Sequence, residues 1–328
     1  MIIFKFEPLY KTRPWGGTRI RKQFNRKIKI ESSRIGESWE IVDRQKNKSV
    51  VSLGKYKGQS LRKIISNDCN SIMGPNWNPK IPFPILVKWL DCKERLSLQV
   101  HPPEKVAQLF GGQPKTENWY IANCEEKAGL FIGFNKSTNK QIFQKALQDG
   151  STESLCYRMN SSKGDSILVE SGRIHAIDKG NLILEIQQNS DTTYRVYDWG
   201  RVDINNKPRQ LHLEESLKSI DFKDTKRNVI KHNVNLEKIE LANCKNFRIT
   251  KHNLKKGTKF MLKKEFTECI LLHLIEGKFK VSDSVVNAGE QIMSPYFSAC
   301  ELTILEESIL LVTDQFVNQQ NLTCSLSH

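Results

Sequence analysis

Residues Gly164 to Arg201 read GDSILVESGRIHAIDKGNLILEIQQNSDTTYRVYDWGR, and the fold turns on this stretch. Turns at Gly164-Asp165 and Ser171-Gly172 bracket a short apolar run. Glycine reaches the positive φ values of tight turns, and the β-branched and aromatic residues between such turns favour strands. His175 then falls on the next strand. In the run Leu182-Ile183-Leu184-Glu185-Ile186 a carboxylate stands inside an apolar strand, a costly arrangement unless the group is paired or liganded. Asp191 and Arg195 follow at even spacing, so an uninterrupted strand would turn both to one face. A histidine, two carboxylates and an arginine between residues 175 and 195 read as the floor of a polar pocket.

Upstream, Pro84 to His101 supplies a matching wall. It contains a strand from Ile85 to Leu90, a charged turn, and a strand from Leu96 to His101 that Pro102-Pro103 ends. Alternation puts Ser97, Gln99 and His101 on one face and Leu96, Leu98 and Val100 on the other. The run Lys115 to Ile121 is a further strand, with Glu117 near its start. Gln99, His101, Glu117 and His175 are thus candidate ligands from three strands, suited to zinc, with manganese, iron or cobalt as alternatives. The competing reading is four unrelated hydrogen-bonded core groups.

Around these strands lie apolar positions at helical spacing in 60–72, 104–110, 138–149 and 211–220. Charges without periodicity from Asp221 to Asn235 suggest a linker. Trp15, Trp39 and Trp119 are read as core. The last third looks like a faded copy of the middle: Gly289 precedes Pro295 as Gly164 precedes Glu170, with no histidine where His175 would fall. Short strands between frequent turns predict a mainly β chain of two jelly-roll sandwich modules with a few peripheral helices. Residues 1–235 are expected to form the first module, which carries the candidate ligands, and residues 236–328 the second, degenerate one without metal ligands.

At 328 residues, 27% charged and 38% hydrophobic, the chain can build one large or two ordinary cores. Its N-terminus lacks a leader pattern, and no run approaches the roughly 20 apolar residues of a membrane helix, so a cytoplasmic protein without a membrane partner is expected. The eight cysteines form no C-x-x-C pair, which favours reduced thiols. A net charge of +15 is spread through every region and accompanies no nucleic-acid-binding signature. Such an excess helps steer anionic metabolites toward the protein.

Four stretches carry a resemblance: Gln99-Val100-His101-Pro102, Lys115-Thr116-Glu117, Gly172-Arg173-Ile174-His175-Ala176 and Gln187 to Arg195. Together with RPWGG at 13–17 and GESWEI at 36–41, they resemble the type I mannose-6-phosphate isomerases, zinc-dependent cupin proteins, in that family's short bacterial branch. The resemblance implies an aldose–ketose isomerase that interconverts mannose 6-phosphate and fructose 6-phosphate through an enediol. It further implies one zinc ion per chain on Gln99, His101, Glu117 and His175. Arg195 matches the catalytic arginine, with Asp191, Glu185 and Lys115 as the accompanying acid and base groups. Lys88, Ser97 and Arg201 match positions associated with the substrate phosphate. Pro114 departs from the longer members, which have histidine there, and Glu170 stands in place of a usual proline. The rival readings are a catalytically silent sugar-binding or regulatory cupin and a metal-dependent oxygenase.

Overall fold

The computed structural model describes residues 2–28, 34–202, 207–233, 235–262, 268–298 and 300–316. Antiparallel strands dominate, with short helices between them, in keeping with the predicted mainly β fold. Two compact units emerge. One comprises Lys11–Glu37 and Trp89–His232; the other joins residues 2–10, Ser38–Lys88 and the described residues from 233 on. The chain therefore crosses between units near the expected boundary at 235, and residues 38–88 group with the C-terminal strands.

In the first unit a five-stranded sheet runs Tyr194–Tyr197, Leu98–Val100, His175–Ile177, Gly129–Phe134, Cys156–Asn160. A second sheet runs Val229–Ile230, Ser166–Val169, Glu117–Cys124, Asn181–Gln188, and continues with residues 89–92, 11–17 and 35–37 of this unit. Leu130, Ile132 and Ile177 from one sheet meet Trp119, Ile121, Ile167, Val169 and Ile183 from the other in a single core. The alternate residues Leu98, Val100, Ile174, Ala176 and Val196 form a separate cluster with Phe143, Leu147 and Leu217 of the helices Lys140–Asp149 and Leu213–Ser219. This alternation follows from the period-two pleat, and it leaves His175 on the inner face beside Ile177. Gly164 has φ +89°, and a Cβ there would collide with the His232 ring.

The other unit has its own sheet, ordered Phe4–Lys5, Gln291–Ser294, Ile270–Val281, Cys300–Asp314, Phe247–Leu254, Lys238–Cys244. Leu272, Leu274, Phe279, Ile292, Leu302, Ile304, Leu310 and Val312 form its apolar core.

The helical expectations largely hold, with local changes. The 138–149 helix spans Lys140–Asp149, where the Asn139 side chain accepts from Ile142 N at 2.9 Å. The 60–72 helix breaks at Asp68 into Leu61–Asn67 and Cys69–Met73. Three readings need correction. The linker expected over 221–235 is in part built into the first unit, where Asp224 accepts from Arg173 at 2.7 and 3.0 Å and Val229–Ile230 pairs with Ser166–Val169; the chain passes to the other unit after His232. Aperiodic charge concealed an ion pair between residues far apart in sequence. The strand expected from Leu96 to His101 is only Leu98–Val100. Asp191 lies outside any strand, because Gln187 Nε2 donates to both Gln188 O and Ser190 O and Ser190 N donates to Gln188 O, turning the chain before Tyr194–Tyr197 begins.

Among the described residues, Cys69, Cys92, Cys124, Cys156, Cys244 and Cys269 form no disulfide; Cys324 and the side chain of Cys300 lie outside them. No helix among the described residues is long and apolar enough to cross a membrane.

Candidate metal centre and active site

His175 pairs directly with Gln99, and Gln99 with Arg195 across the next strand. Directly opposed residues in antiparallel strands project to one face, so Arg195, Gln99 and His175 form a row on the inner side of the sheet. In the facing sheet Gln187 opposes Glu117, and Glu185 opposes Trp119. His101, two residues past Gln99, completes the group.

Among the described residues, His101, Glu117 and His175 are the His, Cys, Asp or Glu side chains gathered closely enough for one cation, with ligand atoms within 4.8 Å of one another. His101 Nε2 lies 3.2 Å from Glu117 Oε2, and His175 Nε2 lies 3.6 Å from Glu117 Oε1. All three side chains have 0% exposure. The other ring nitrogens are fixed by carbonyl acceptors: His101 Nδ1 on Thr192 O at 3.1 Å, and His175 Nδ1 on Arg173 O at 2.8 Å. A carbonyl only accepts, so each Nδ1 carries the hydrogen and each Nε2 presents a lone pair.

Burial, reinforced by Lys115, pushes His101 down to about 3. Burial likewise pushes His175 down to about 4 against the pull of Glu117. Both rings are therefore neutral at pH 7. Burial raises the Glu117 carboxyl, but Lys115 and His101 outweigh it and hold Glu117 well below the usual carboxylate range. Two bare nitrogens and both Glu117 oxygens are buried together, and none has a hydrogen-bond partner of good geometry. Bare buried acceptors are expensive, and His101 Nε2, His175 Nε2 and Glu117 Oε1 converging on one point, with Glu117 Oε2 paired to Lys115, suit a divalent cation. The carbonyl-anchored Nδ1 atoms are the orienting contacts that ligating histidines use.

Lys115 is nearly buried, its Nζ 2.6 Å from Glu117 Oε2 and 3.9 Å from Glu185 Oε1. Burial opposes its charge, yet Glu117 and Glu185 outweigh burial and hold the ammonium above the ordinary lysine range. Glu185 Oε2 accepts from Trp119 Nε1 at 3.1 Å, and the Trp119 ring stands edge-on to His175 with centroids 5.4 Å apart. The core reading of Trp119 thus missed its contact with Glu185; a polar tip on a buried aromatic was the available signal. Segments 113–116 and 188–192 are zipped by Gln113 N to Thr192 Oγ1 at 3.0 Å, Ser190 Oγ to Gln113 O at 3.2 Å and Thr116 N to Gln188 Oε1 at 2.8 Å. That zipper brings Lys115 together with the loop of Asp191 and with the Thr192 carbonyl that orients His101. Asp191 itself is exposed.

The phosphate-associated positions are divided. Ser97 is buried, and Arg201 donates to Asp198 and to Arg95 O. Lys88 belongs to the other compact unit, where its Nζ lies 5.1 Å from the Trp39 ring centroid, so its role rests on the resemblance.

Fold and site together define a cupin-type β-sandwich with a buried His/Glu/His centre. Residues 3–153 match the family model of the phosphomannose isomerase type I catalytic domain. The mannose-6-phosphate isomerase ManA of Bacillus subtilis (strain 168) is 36% identical over 303 residues, covering 89% of this chain and 92% of that protein. A mannose-6-phosphate isomerase of Streptococcus mutans is 38% identical over 211 residues, 62% of this chain and 63% of its own. The crystal structure of the Bacillus subtilis mannose 6-phosphate isomerase superposes with a TM-score of 0.82 at 29% identity, over 95% of this chain and 99% of that one. The chain belongs to the type I phosphomannose isomerase family, and it is an isomerase. Membership implies a metal, and the residues present fit one.

Proposed function

We propose that this chain interconverts mannose 6-phosphate and fructose 6-phosphate through an enediol, with one zinc ion held by Gln99, His101, Glu117 and His175. The observation that carries the reading is the group of buried acceptors left bare at one point, His101 Nε2, His175 Nε2 and Glu117 Oε1, with Glu117 Oε2 held by Lys115, beside Glu185. The bound cation supplies Lewis-acid polarisation of the sugar oxygens. Moving a proton between the first two sugar carbons develops negative charge on adjacent oxygens, and Arg195 in the Gln99 row is placed to oppose it. The proton is moved by Glu185, Asp191 or Lys115. Glu185 is favoured because it is buried in the same wall with one oxygen fixed by Trp119, whereas Asp191 is exposed. Lys115, held protonated, steadies the charge of both glutamates. Ser97 and Arg201 take the phosphate. The second module is read as a degenerate copy that has lost its ligands.

The reading is tested by a coupled assay of mannose 6-phosphate turnover in deuterated water. Isomerisation through an enediol gives product with solvent deuterium at the transferred position. Solvent deuterium in the product supports the enediol route over direct hydride transfer, and binding without turnover favours the silent sugar-binding cupin.

A further inference from the structure

Among the described residues, Tyr194–Tyr197 is the end strand of its sheet, paired on one side with Leu98–Val100. The outer main-chain groups of such a strand need other partners. At Arg195 both come from a single residue: Arg195 N donates to His212 Nδ1 at 3.2 Å, and His212 N donates to Arg195 O at 2.8 Å. His212 thus supplies at this point what a further strand would supply. Two positions earlier, Gln210 O accepts from Arg195 Nη1 at 2.8 Å. The segment 210–212 therefore holds both the backbone and the guanidinium of Arg195.

The His212 ring is committed to this contact. A backbone N–H only donates, so Nδ1 presents its lone pair and the ring hydrogen sits on Nε2, the reverse of His101 and His175. His212 is also the N-cap of Leu213–Ser219, yet its side chain makes no capping bond there and turns back to the strand instead. The helix gives it a firm base: Ser216 N donates to His212 O at 2.9 Å, and Leu217 packs against the cluster of Val100, Ile174 and Val196. The clamp falls where the strand is irregular, because the pairing with Leu98–Val100 shifts register between Arg195 and Tyr197. Strand pairing alone therefore does not fix the direction of Arg195. With Nη1 taken by Gln210 O, the buried Nε of Arg195 has no partner among the described residues.

We infer that His212 is a positioning residue for the isomerisation: by clamping the backbone of Arg195 on both sides it holds that side chain in the row of Gln99 and His175 with Nε left for the reacting sugar oxygens. This deepens the proposed function and rests on it for the role of Arg195. The clamp matters because stabilising a developing charge depends on where the donor stands, and a misplacement of about 1 Å costs up to roughly a hundredfold in rate.

The test compares His212→Leu and His212→Asn with wild type in metal-loaded enzyme, each alone and combined with Arg195→Ala. Asparagine keeps an acceptor as many bonds from the backbone as Nδ1, whereas leucine keeps bulk without it. His212→Leu is expected to lower kcat about tenfold with little change in KM and none in metal content. His212→Asn should stay within about threefold of wild type. Because His212 acts through Arg195, His212→Leu should cost less than about twofold more in Arg195→Ala enzyme. Amide hydrogen exchange reads the clamp itself: the Arg195 N–H should exchange about tenfold faster in His212→Leu and stay protected in His212→Asn. An unchanged kcat in His212→Leu, or the full loss repeated in Arg195→Ala enzyme, overturns the inference and leaves His212 as a contact of the fold. Should His212→Leu fail to fold, His212→Gln, whose acceptor lies one bond farther out, replaces it under the same criteria. Should wild type not turn over mannose 6-phosphate, or Arg195→Ala turn it over normally, the proposed function or its use of Arg195 fails. The exchange rate then still decides the clamp, and unchanged exchange in His212→Leu refutes it.

Discussion

The two β modules share a hydrogen-bond frame and differ in what lines it. In the first, Gly164 N donates to Ile121 O at 2.7 Å and Ser166–Val169 pairs with Glu117–Cys124; in the second, Gly289 N donates to Leu274 O at 2.7 Å and Gln291–Ser294 pairs with Ile270–Val281. Following the registers, Glu117 corresponds to Ile270, Trp119 to Leu272, and Glu185 to Val312. The strand positions that carry charge in one module are aliphatic in the other. The frame therefore tolerates either lining.

The histidines sharpen the contrast. His273 of the second module is as buried as His175, but both its nitrogens are satisfied, Nδ1 by Gln291 Oε1 at 2.6 Å and Nε2 by Thr313 Oγ1 at 2.9 Å. His101 and His175 each have one satisfied nitrogen and one bare. A buried imidazole with a free lone pair beside a carboxylate signals a ligand; one with two partners signals a core.

The largest expected effect comes from giving the first module the lining of the second. Glu117→Ile should abolish metal binding and lower turnover by about a thousandfold or more, measured by elemental analysis and coupled assay. Next is Arg195→Ala, expected to cost on the order of a hundredfold or more in kcat while leaving the metal bound. Trp119→Phe keeps a ring against His175 and removes the donor to Glu185. A kcat loss of about tenfold with little change in KM is expected, as befits a positioning residue.

The smallest effect is on acid stability. His101, His175 and His273 are all lowered by burial, to about 3, 4 and 4, from 6.5. The unfolded chain then binds more protons than the folded one between those values and 6.5. The metal-free protein should therefore lose stability as pH falls from 6.5 toward 4 and keep it above 6.5. His273→Asn should flatten part of that slope in pH-dependent melts while metal content stays the same.

Much of the site was legible because side-chain chemistry and strand period were enough. Gln99 and His101 alternate beside apolar neighbours, Glu117 opens a strand, and Gly164 and Gly172 mark the turns around His175. What stayed hidden depends on backbone acceptors or distant partners. The carbonyls of Thr192 and Arg173 that set the histidine tautomers have no sequence signature, and Arg173 meets Asp224 across 51 positions. The loop that removes Asp191 from the strand is closed by the Gln187 amide on main-chain oxygens.

Elemental analysis of the purified chain, combined with mannose 6-phosphate turnover before and after chelation, addresses the metal centre most directly. One zinc per chain should be found, with turnover lost on chelation, restored by added zinc, and absent from a Glu117→Ile variant. Undiminished turnover by fully metal-free protein would contradict a ligand role for His101, Glu117 and His175.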